Sequence, residues 1–213
     1  NGIFNWRHEY PRIILVMRGV PESLNNLIAE FSKLPGIGKK TAERLAIFVL
    51  KEDKNKIFPF SQALLDVKNE IEFHDICHCF MEKSECVICN DSSRNSSLLC
   101  VIKNPTDIFM MEKTGFNGYY HSIGGLISPL DGIEPNMLNF STLLSRLKYF
   151  EELIIALEPS VEGDATSSYL LEILKDTNIK VSRLARGVPV GSSFDYIDEV
   201  TLTHSLEDRI EYK

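Results

Sequence analysis

Long apolar segments are missing from this sequence of 213 residues. A helix that crosses a bilayer needs about 18 or more consecutive apolar residues, and the apolar run at 13–17 is far shorter. The first residues also lack the length and the small-residue cleavage site of a secretory signal. We therefore expect a soluble protein, and we interpret residues 1–22 as an N-terminal extension of little functional weight.

An excess of positive charge is missing as well. Lysine and arginine total 23 against 30 aspartates and glutamates, which gives a formal net charge of -7. The surface as a whole cannot attract a polyanion, so any contact with nucleic acid must come from a local basic patch. Hydrophobic residues make up 44% of the chain, enough for one sizeable core or a few small ones, which excludes a disordered chain.

The even set of spaced cysteines that marks a disulfide framework is missing too. There are five cysteines, and four of them are crowded between Cys77 and Cys89. Such crowding indicates a reducing compartment and a bound metal ion. The fifth, Cys100, lies in the apolar segment 98–102, where cysteine acts as a small hydrophobic residue.

The spacing of apolar residues predicts the fold class. Spacings of three and four residues indicate two amphipathic helices between Ser23 and Leu50 and a third helix at 60–71, with Ser61 as its cap. Farther along the chain, short apolar segments alternate with a helical pattern. We predict strands at 98–102, 107–111, 153–157 and 179–184 and a helix at 165–174. This order indicates an α/β fold with an N-terminal helical part and a mainly parallel sheet flanked by helices.

A glycine-rich turn connects the first two predicted helices. Gly36 and Gly38 allow backbone N–H groups to approach a phosphate closely, at the positive end of the second helix dipole. Lys39, Lys40 and Arg44 add positive charge there, and because lysine at a helix start opposes the dipole, an external anion is indicated. The turn resembles the helix-hairpin-helix motif, which binds the DNA backbone without regard to sequence. The alternative is a plain helical hairpin whose glycines only form the turn.

Four potential metal ligands follow the third predicted helix. His74 and Cys77 form one pair separated by two residues, and Cys86 and Cys89 form another. Because both side chains of such a pair can reach one ion, the set suits tetrahedral Zn²⁺ in a closed, structural site. Cys79 is the competing ligand in place of His74, and we prefer His74 because Cys77-x-Cys79 is too tight for the usual zinc knuckle.

Acidic residues follow two of the predicted strands. Glu112 comes after 107–111, and Glu158, Glu162 and Asp164 come after 153–157. Carboxylates at the carboxyl ends of adjacent parallel strands converge on the crevice where α/β proteins bind ligands, and such a cluster is of the kind that holds Mg²⁺. The alternative is a solvated acidic loop in which Asp164 caps a helix that starts near Ala165.

The acidic pattern resembles the Toprim domain of topoisomerases, primases and some nucleases. In that domain a Glu after one strand and an Asp-x-Asp after another bind the metal. Here Glu158 and Ser160 stand at the Asp-x-Asp positions, so the second acid is missing. Metal-dependent phosphoryl chemistry relies on a complete carboxylate set, and the missing acid counts against it.

The order of the three motifs is more specific than any of them alone. A helix-hairpin-helix, then a four-ligand zinc knuckle, then a Toprim-like domain resemble the RecR family of bacterial recombination mediators. The resemblance extends from Leu24 to about Arg209, and in the zinc finger the family usually has Cys-x2-Cys where this chain has His74-x2-Cys77. It implies five segments: an extension at 1–22, a helix-hairpin-helix region at 23–72, a zinc finger at 73–99, a Toprim domain at 100–186 and a C-terminal oligomerisation segment at 187–213.

The resemblance implies a function that is not enzymatic. Members of the family bind gapped DNA without sequence specificity and, with RecO and often RecF, promote loading of RecA in the bacterial cytoplasm. They contain one structural zinc ion per chain and assemble into homo-oligomers that form ring-like tetramers. Lys40 and Arg44, with Lys39 beside them, match the DNA-contacting positions. The acidic surface implicated in RecO contact corresponds to Glu162, with Glu112, Glu158 and Asp164 as its neighbours.

Two other classes of function stay open at this point. A Mg²⁺-dependent Toprim nuclease or topoisomerase-like enzyme would use the carboxylates, although Ser160 argues against it. A structural adaptor would pack the helical hairpin on a partner protein, and the three cations of the hairpin make that reading less attractive.

Overall fold

The computed structural model describes residues 19–209 and residue 211. The chain divides into two compact units, residues 1–69 and residues 70–213, and the finer division into five segments stays a prediction. Residues 1–18, most of the predicted extension, lie outside the described residues. Among the helices that are described, none is long and apolar enough to cross a membrane.

The first unit is helical. It contains α1 (Glu22–Ser32), α2 (Lys39–Lys51) and nearly all of α3 (Lys54–Glu70). The first two are the amphipathic helices predicted from the apolar spacing, and they pack through a small core of Ile28, Ala42 and Ala46. In the turn between them Gly36 has a φ of 77°, a left-handed conformation that only glycine adopts without steric cost.

Helix α3 differs from its prediction in extent and in burial. It begins at Lys54 rather than Phe60, because Pro59 in the second turn removes one backbone donor without ending the helix. Ser61 is therefore not a cap; it lies inside the helix and its hydroxyl donates to the Phe58 carbonyl at 2.9 Å. The apolar residues whose spacing predicts this helix are exposed, with Leu64 at 61% and Val67 at 66%.

The second unit starts with a small antiparallel sheet that the sequence analysis did not predict. Its strands are β1 (Ile71–Phe73), β2 (Phe80–Glu82) and β3 (Glu85–Cys86). Lys83 and Ser84 join the last two with φ values of 50° and 67°, the positive pair of a tight hairpin turn whose twist matches that of the strands. Strands this short bury little apolar surface, so other interactions must hold the segment together.

The larger sheet is parallel throughout and has the strand order β5-β4-β6-β7. The predicted α/β fold is confirmed, and three of the four predicted strands lie within one residue of their observed bounds. The strands are β4 (Leu98–Ile102), β5 (Tyr119–Ser122), β6 (Glu152–Ala156) and β7 (Lys180–Arg183). The helices of this unit are α4 (Ile108–Met111), α5 (Phe140–Arg146), α6 (Val161–Leu174) and α7 (Glu199–Glu207).

One predicted strand is wrong. Residues 107–111 form the end of a 3-10 turn (Pro105–Asp107) and helix α4, and reciprocal capping between Asn104 and Asp107 fixes the start of this helical stretch. Asn followed by Pro and an acid is a helix-start signal, and it overrides the apolar run behind it. Strand β5 pairs with β4 instead; it was not predicted because its buried His121 interrupts the apolar pattern.

Helix α6 begins at Val161, four residues before its predicted start. Ser160 is its N-cap, and the Ser160 hydroxyl accepts the Gly163 N–H at 3.0 Å. Asp164 therefore lies in the first turn and does not cap the helix. At Gly163 the helix approaches the end of β6 so closely that a Cβ atom would stand 2.0 Å from the Glu158 carbonyl oxygen.

Two hydrophobic cores flank the larger sheet. One contains Leu99 and Leu153 from the central strands with Leu170 from α6. The other contains Cys100 and Tyr120 together with three cysteines of the preceding segment, Cys77, Cys79 and Cys86. The segment that contains the small sheet is thus packed on the larger sheet through these three cysteines.

Candidate metal centre and candidate nucleic-acid interface

The structure brings together the four ligands that the sequence analysis preferred. His74, Cys77, Cys86 and Cys89 offer ligand atoms that all lie within 4.8 Å of one another. His74 Nδ1 is 3.1 Å from Cys77 Sγ, and the Cys77 and Cys86 sulfurs are 3.5 Å apart. Among residues 19–209 and 211, no other group of three or more His, Cys, Asp or Glu side chains is close enough to hold an ion.

Two tight turns present these ligands in pairs. The His78 N–H donates to the His74 carbonyl at 2.8 Å, and the Asn90 N–H donates to the Cys86 carbonyl at 3.0 Å. In the second turn the Cys89 N–H also donates to Cys86 Sγ at 3.4 Å. Such a bond favours the thiolate form that metal binding requires.

The donor set fits a tetrahedral zinc ion. Zinc–sulfur bonds of about 2.3 Å place the sulfurs of a tetrahedral site about 3.8 Å apart, close to the spacing between Cys77 and Cys86. Three sulfurs and one imidazole nitrogen fill all four positions, so a site of this kind has no open position for a substrate. The competing ligand Cys79 lies outside the group; it is fully buried, and its Sγ–H is directed at the Cys77 carbonyl at 3.5 Å.

The acidic residues predicted to converge do not form one cluster. Glu112 follows α4 rather than a strand, and its carboxylate accepts two hydrogen bonds of 2.9 Å from Arg94. The Tyr120 hydroxyl donates to the same carboxylate at 2.7 Å. Arg94 holds the pKa of Glu112 below its ordinary value, so this side chain is an anion already paired within the fold.

Two of the other acids are also paired. Glu158 accepts a hydrogen bond of 2.9 Å from Lys103, and Asp164 forms a two-bond ion pair with Arg186. Lys103 directly follows β4, and Glu158 follows the adjacent strand β6. At this carboxyl edge of the sheet, the cation beside Glu158 is therefore the Lys103 ammonium. Glu162 forms no ion pair within the described part of the chain.

Sequence reasoning missed the three cations Arg94, Lys103 and Arg186. All three are far in sequence from the acids they pair with, and nothing in the local pattern marks Arg94 or Arg186. Lys103 did carry a signal, because it directly follows a buried strand at the position where a ligand-binding residue of an α/β sheet is expected.

The start of α2 exposes backbone donors and positive charge together. Gly38 is its N-cap, no side chain caps the helix, and its first turn contains no acidic residue. Lys39, Lys40 and Arg44 are exposed and form no ion pair with any residue that the structure describes. By contrast, the exposed Lys33 just before the turn pairs with an acid of its own helix at 2.7 Å.

The fold and the metal centre define a protein that combines a helix-hairpin-helix unit with a Toprim domain. Residues 24–68 match the family described as RecR, helix-hairpin-helix; residues 97–185 match the Toprim domain, and residues 187–210 match RecR, C-terminal. Recombination protein RecR of Chloroherpeton thalassium is 43% identical over 204 residues, which cover 92% of this chain and 100% of the relative. The chain belongs to the RecR family of recombination proteins, and the family predicted from the sequence is confirmed. Membership implies a role in DNA recombination and repair.

Proposed function

We propose that this chain is a recombination mediator that binds the DNA backbone through the start of α2. The observation that carries the proposal is the exposed helix N-terminus at Gly38, which no side chain caps, with three cations beside it that have no ion-pair partner among the described residues. Backbone amides and a helix dipole favour a phosphate at this point. The positive charge at this site comes from Lys39, Lys40 and Arg44. A phosphate can approach the backbone closely at Gly36 and Gly38, because glycine has no side chain.

These contacts make binding independent of sequence. Groups that bind phosphates position a protein on DNA but read no base. Each chain supplies only three such cations within a net charge of -7, so one subunit binds weakly. A ring of four subunits presents several patches at once, and the second contact then benefits from a high effective concentration.

Exposed apolar side chains support the oligomer. None of the 17 residues of α3 is buried, and Phe58 and Leu65 are 68% and 56% exposed. A groove of about 420 Å³ is lined by Phe48 of α2 and by Ile57 and Phe60 of α3. Contiguous apolar surface of this extent marks a protein interface, and we assign it to contact between subunits. The C-terminal segment offers a second such surface, with Val190 and Tyr196 almost fully exposed.

A single Zn²⁺ held by His74, Cys77, Cys86 and Cys89 would act as a structural ion. Its role is to supply folding energy to a segment whose strands are too short to hold together alone. The three thiolates must be deprotonated to bind it, and the hydrogen bond from the Cys89 N–H to Cys86 already favours that form.

The acidic surface of the second unit is proposed to contact RecO. Glu162 is the member of the set without an ion pair among the described residues, so it keeps its charge available to a basic partner. Glu112, Glu158 and Asp164 are each neutralised internally and contribute less. RecO, with RecF, would then cooperate with this chain in loading RecA onto gapped DNA in the bacterial cytoplasm.

A Mg²⁺-dependent nuclease or topoisomerase is the weaker alternative, and we propose that the chain is not an enzyme. Metal-dependent phosphoryl transfer needs carboxylates that share one or two ions. At the carboxyl edge of the sheet, Glu158 binds Lys103, and the Ser160 hydroxyl caps α6. Both side chains therefore have other partners in the fold.

The proposal is tested by binding of full-length protein to gapped DNA at several salt concentrations. Lys40→Ala combined with Arg44→Ala should weaken binding about 10- to 100-fold and reduce the salt slope by about one per lost phosphate contact. Lys33→Ala is the matched control, since that lysine is exposed near the same turn but paired. Wild-type affinity and salt slope in the double variant would refute the assignment of this surface.

A further inference from the structure

Arg146 is a buried cation without a carboxylate partner among the described residues. It ends α5 and is only 7% exposed. Its Nη1 donates to the Tyr120 carbonyl at 2.9 Å and to His121 Nδ1 at 3.2 Å. Removing a guanidinium from water is costly unless an anion compensates it, and neither of these two acceptors carries a charge.

The second terminal nitrogen of Arg146 faces the metal centre. Nη2 lies 3.9 Å from Cys89 Sγ. Three thiolates around one divalent ion leave one net negative charge on the site; Cys77 and Cys86 are buried and Cys89 is half-buried. A buried charge of that kind needs a counter-charge, and the guanidinium is a donor already oriented toward it.

The orientation of Arg146 is fixed by its neighbours. His121 Nε2 is 3.0 Å from the Asn139 carbonyl, and since a carbonyl only accepts, Nε2 carries the hydrogen and Nδ1 is free to accept from Arg146. The ring of Phe150 lies 5.6 Å from the guanidinium carbon. The planar fork is therefore held in place by groups that do not belong to the metal site.

We infer that Arg146 is a positioning residue of the metal centre, which supplies the counter-charge to the Cys89 thiolate and attaches the ligand cluster to helix α5. The inference rests on the zinc site proposed above. It gives the metal a role in the Toprim fold as well as in the small sheet, because Arg146 belongs to α5 and its guanidinium faces Cys89, one of the proposed ligands. Partners of this kind beyond the direct ligands commonly change metal affinity 10- to 100-fold.

The test measures zinc affinity of the full-length chain by competition with a chromogenic chelator. Arg146→Met should lower the affinity about 10- to 100-fold, and Arg146→Lys, which keeps the charge but loses the fork, should lower it less. Arg94→Met is the matched control, because Arg94 is also largely buried in this unit but bonds to Glu112 rather than to a cysteine. It should lower the melting temperature and leave zinc affinity within about threefold.

A double-mutant cycle separates a charge effect from a packing effect. Cys89→His removes the thiolate that Arg146 faces, so in this background Arg146→Met, or Arg146→Lys if the methionine variant does not fold, should change zinc affinity less than threefold. An equal loss in both backgrounds, or no loss in the wild-type background, overturns the inference. Absence of zinc binding by the unaltered chain would instead refute the proposed zinc site.

Discussion

In the first unit, α3 buries none of its residues, and the three cations at the start of α2 have no partner among the described residues. In the second unit, by contrast, most acids of the predicted site are paired with a cation, and two cores close over both faces of the sheet. The helical unit thus leaves both its apolar and its charged groups available to other molecules. The sheet unit satisfies its own groups internally.

Because of this difference, we expect mutations to have different effects in the two units. A change in the first unit should affect association with DNA or with other subunits and leave the fold intact. A change in the second unit should affect stability first, because its side chains have their partners within the chain.

Loss of the metal centre is the most damaging change expected. Cys86→Ser removes a proposed ligand and would leave the small sheet without the proposed ion, so the free energy of unfolding of the second unit should fall by about 4–5 kcal/mol or more. Urea unfolding together with zinc content by atomic emission measures the effect. Cys79→Ala is the control and should keep one zinc per chain. If zinc is lost there and retained in His74→Ala, the ligand set must be revised.

Charge placed on the exposed face of α3 should break the proposed oligomer without unfolding the first unit. Leu64→Asp with Val67→Asp should weaken self-association at least 100-fold, or about 2.7 kcal/mol, because carboxylates would be buried in the interface. Sedimentation gives the mass, and circular dichroism gives the helix content. Asn69→Asp adds an acid to the same helix without removing an apolar group and should leave the mass unchanged. An unaltered mass in the double variant would place the interface elsewhere.

Acid should destabilise the second unit through His121. Burial lowers its pKa to about 3, whereas in the unfolded chain it is near 6.5. The unfolded state therefore takes up the proton first, and the stability present above about pH 6.5 is lost as the pH falls toward 3, by about 2 kcal/mol at pH 5. His121→Gln should flatten this dependence in urea unfolding at pH 7.5 and pH 5 with zinc saturating. If the free energy of unfolding fell equally in the variant and in the wild type between pH 7.5 and pH 5, His121 would not be the cause.

The smallest expected effect is at the carboxyl edge of the sheet. The pair between Lys103 and Glu158 is partly exposed, so Lys103→Glu should change stability by no more than about 1 kcal/mol. The variant should nevertheless gain a thermal shift with millimolar Mg²⁺ that the wild type lacks, because two carboxylates then face each other. Lys113→Glu, at an exposed lysine outside this edge, controls for charge alone. A thermal shift with Mg²⁺ in the wild type would show that Lys103 does not keep this ion away from Glu158.

Much of the fold and of the metal site could be predicted from sequence, and each prediction that failed has a physical reason. The hairpin and the four metal ligands were found because short spacings determine both. The strand predicted at 107–111 failed because apolar content does not distinguish a short helix from a strand, whereas the Asn104 cap does. Glu158 does follow a strand as predicted, but the acidic cluster does not form, because Glu112 follows a helix instead. The cations that pair with Glu112 and Asp164, Arg94 and Arg186, come from distant segments that a local pattern cannot link.

The close contact between α6 and the end of β6 limits which sequences this fold accepts. Any side chain at Gly163 would collide with the backbone at Glu158, and backbone cannot move aside as a flexible side chain can. A library randomised at positions 162, 163 and 164 and selected for folded protein should contain only glycine at position 163 and varied residues at positions 162 and 164. The charge at position 162 can therefore change without disturbing the start of α6, which depends on the glycine beside it.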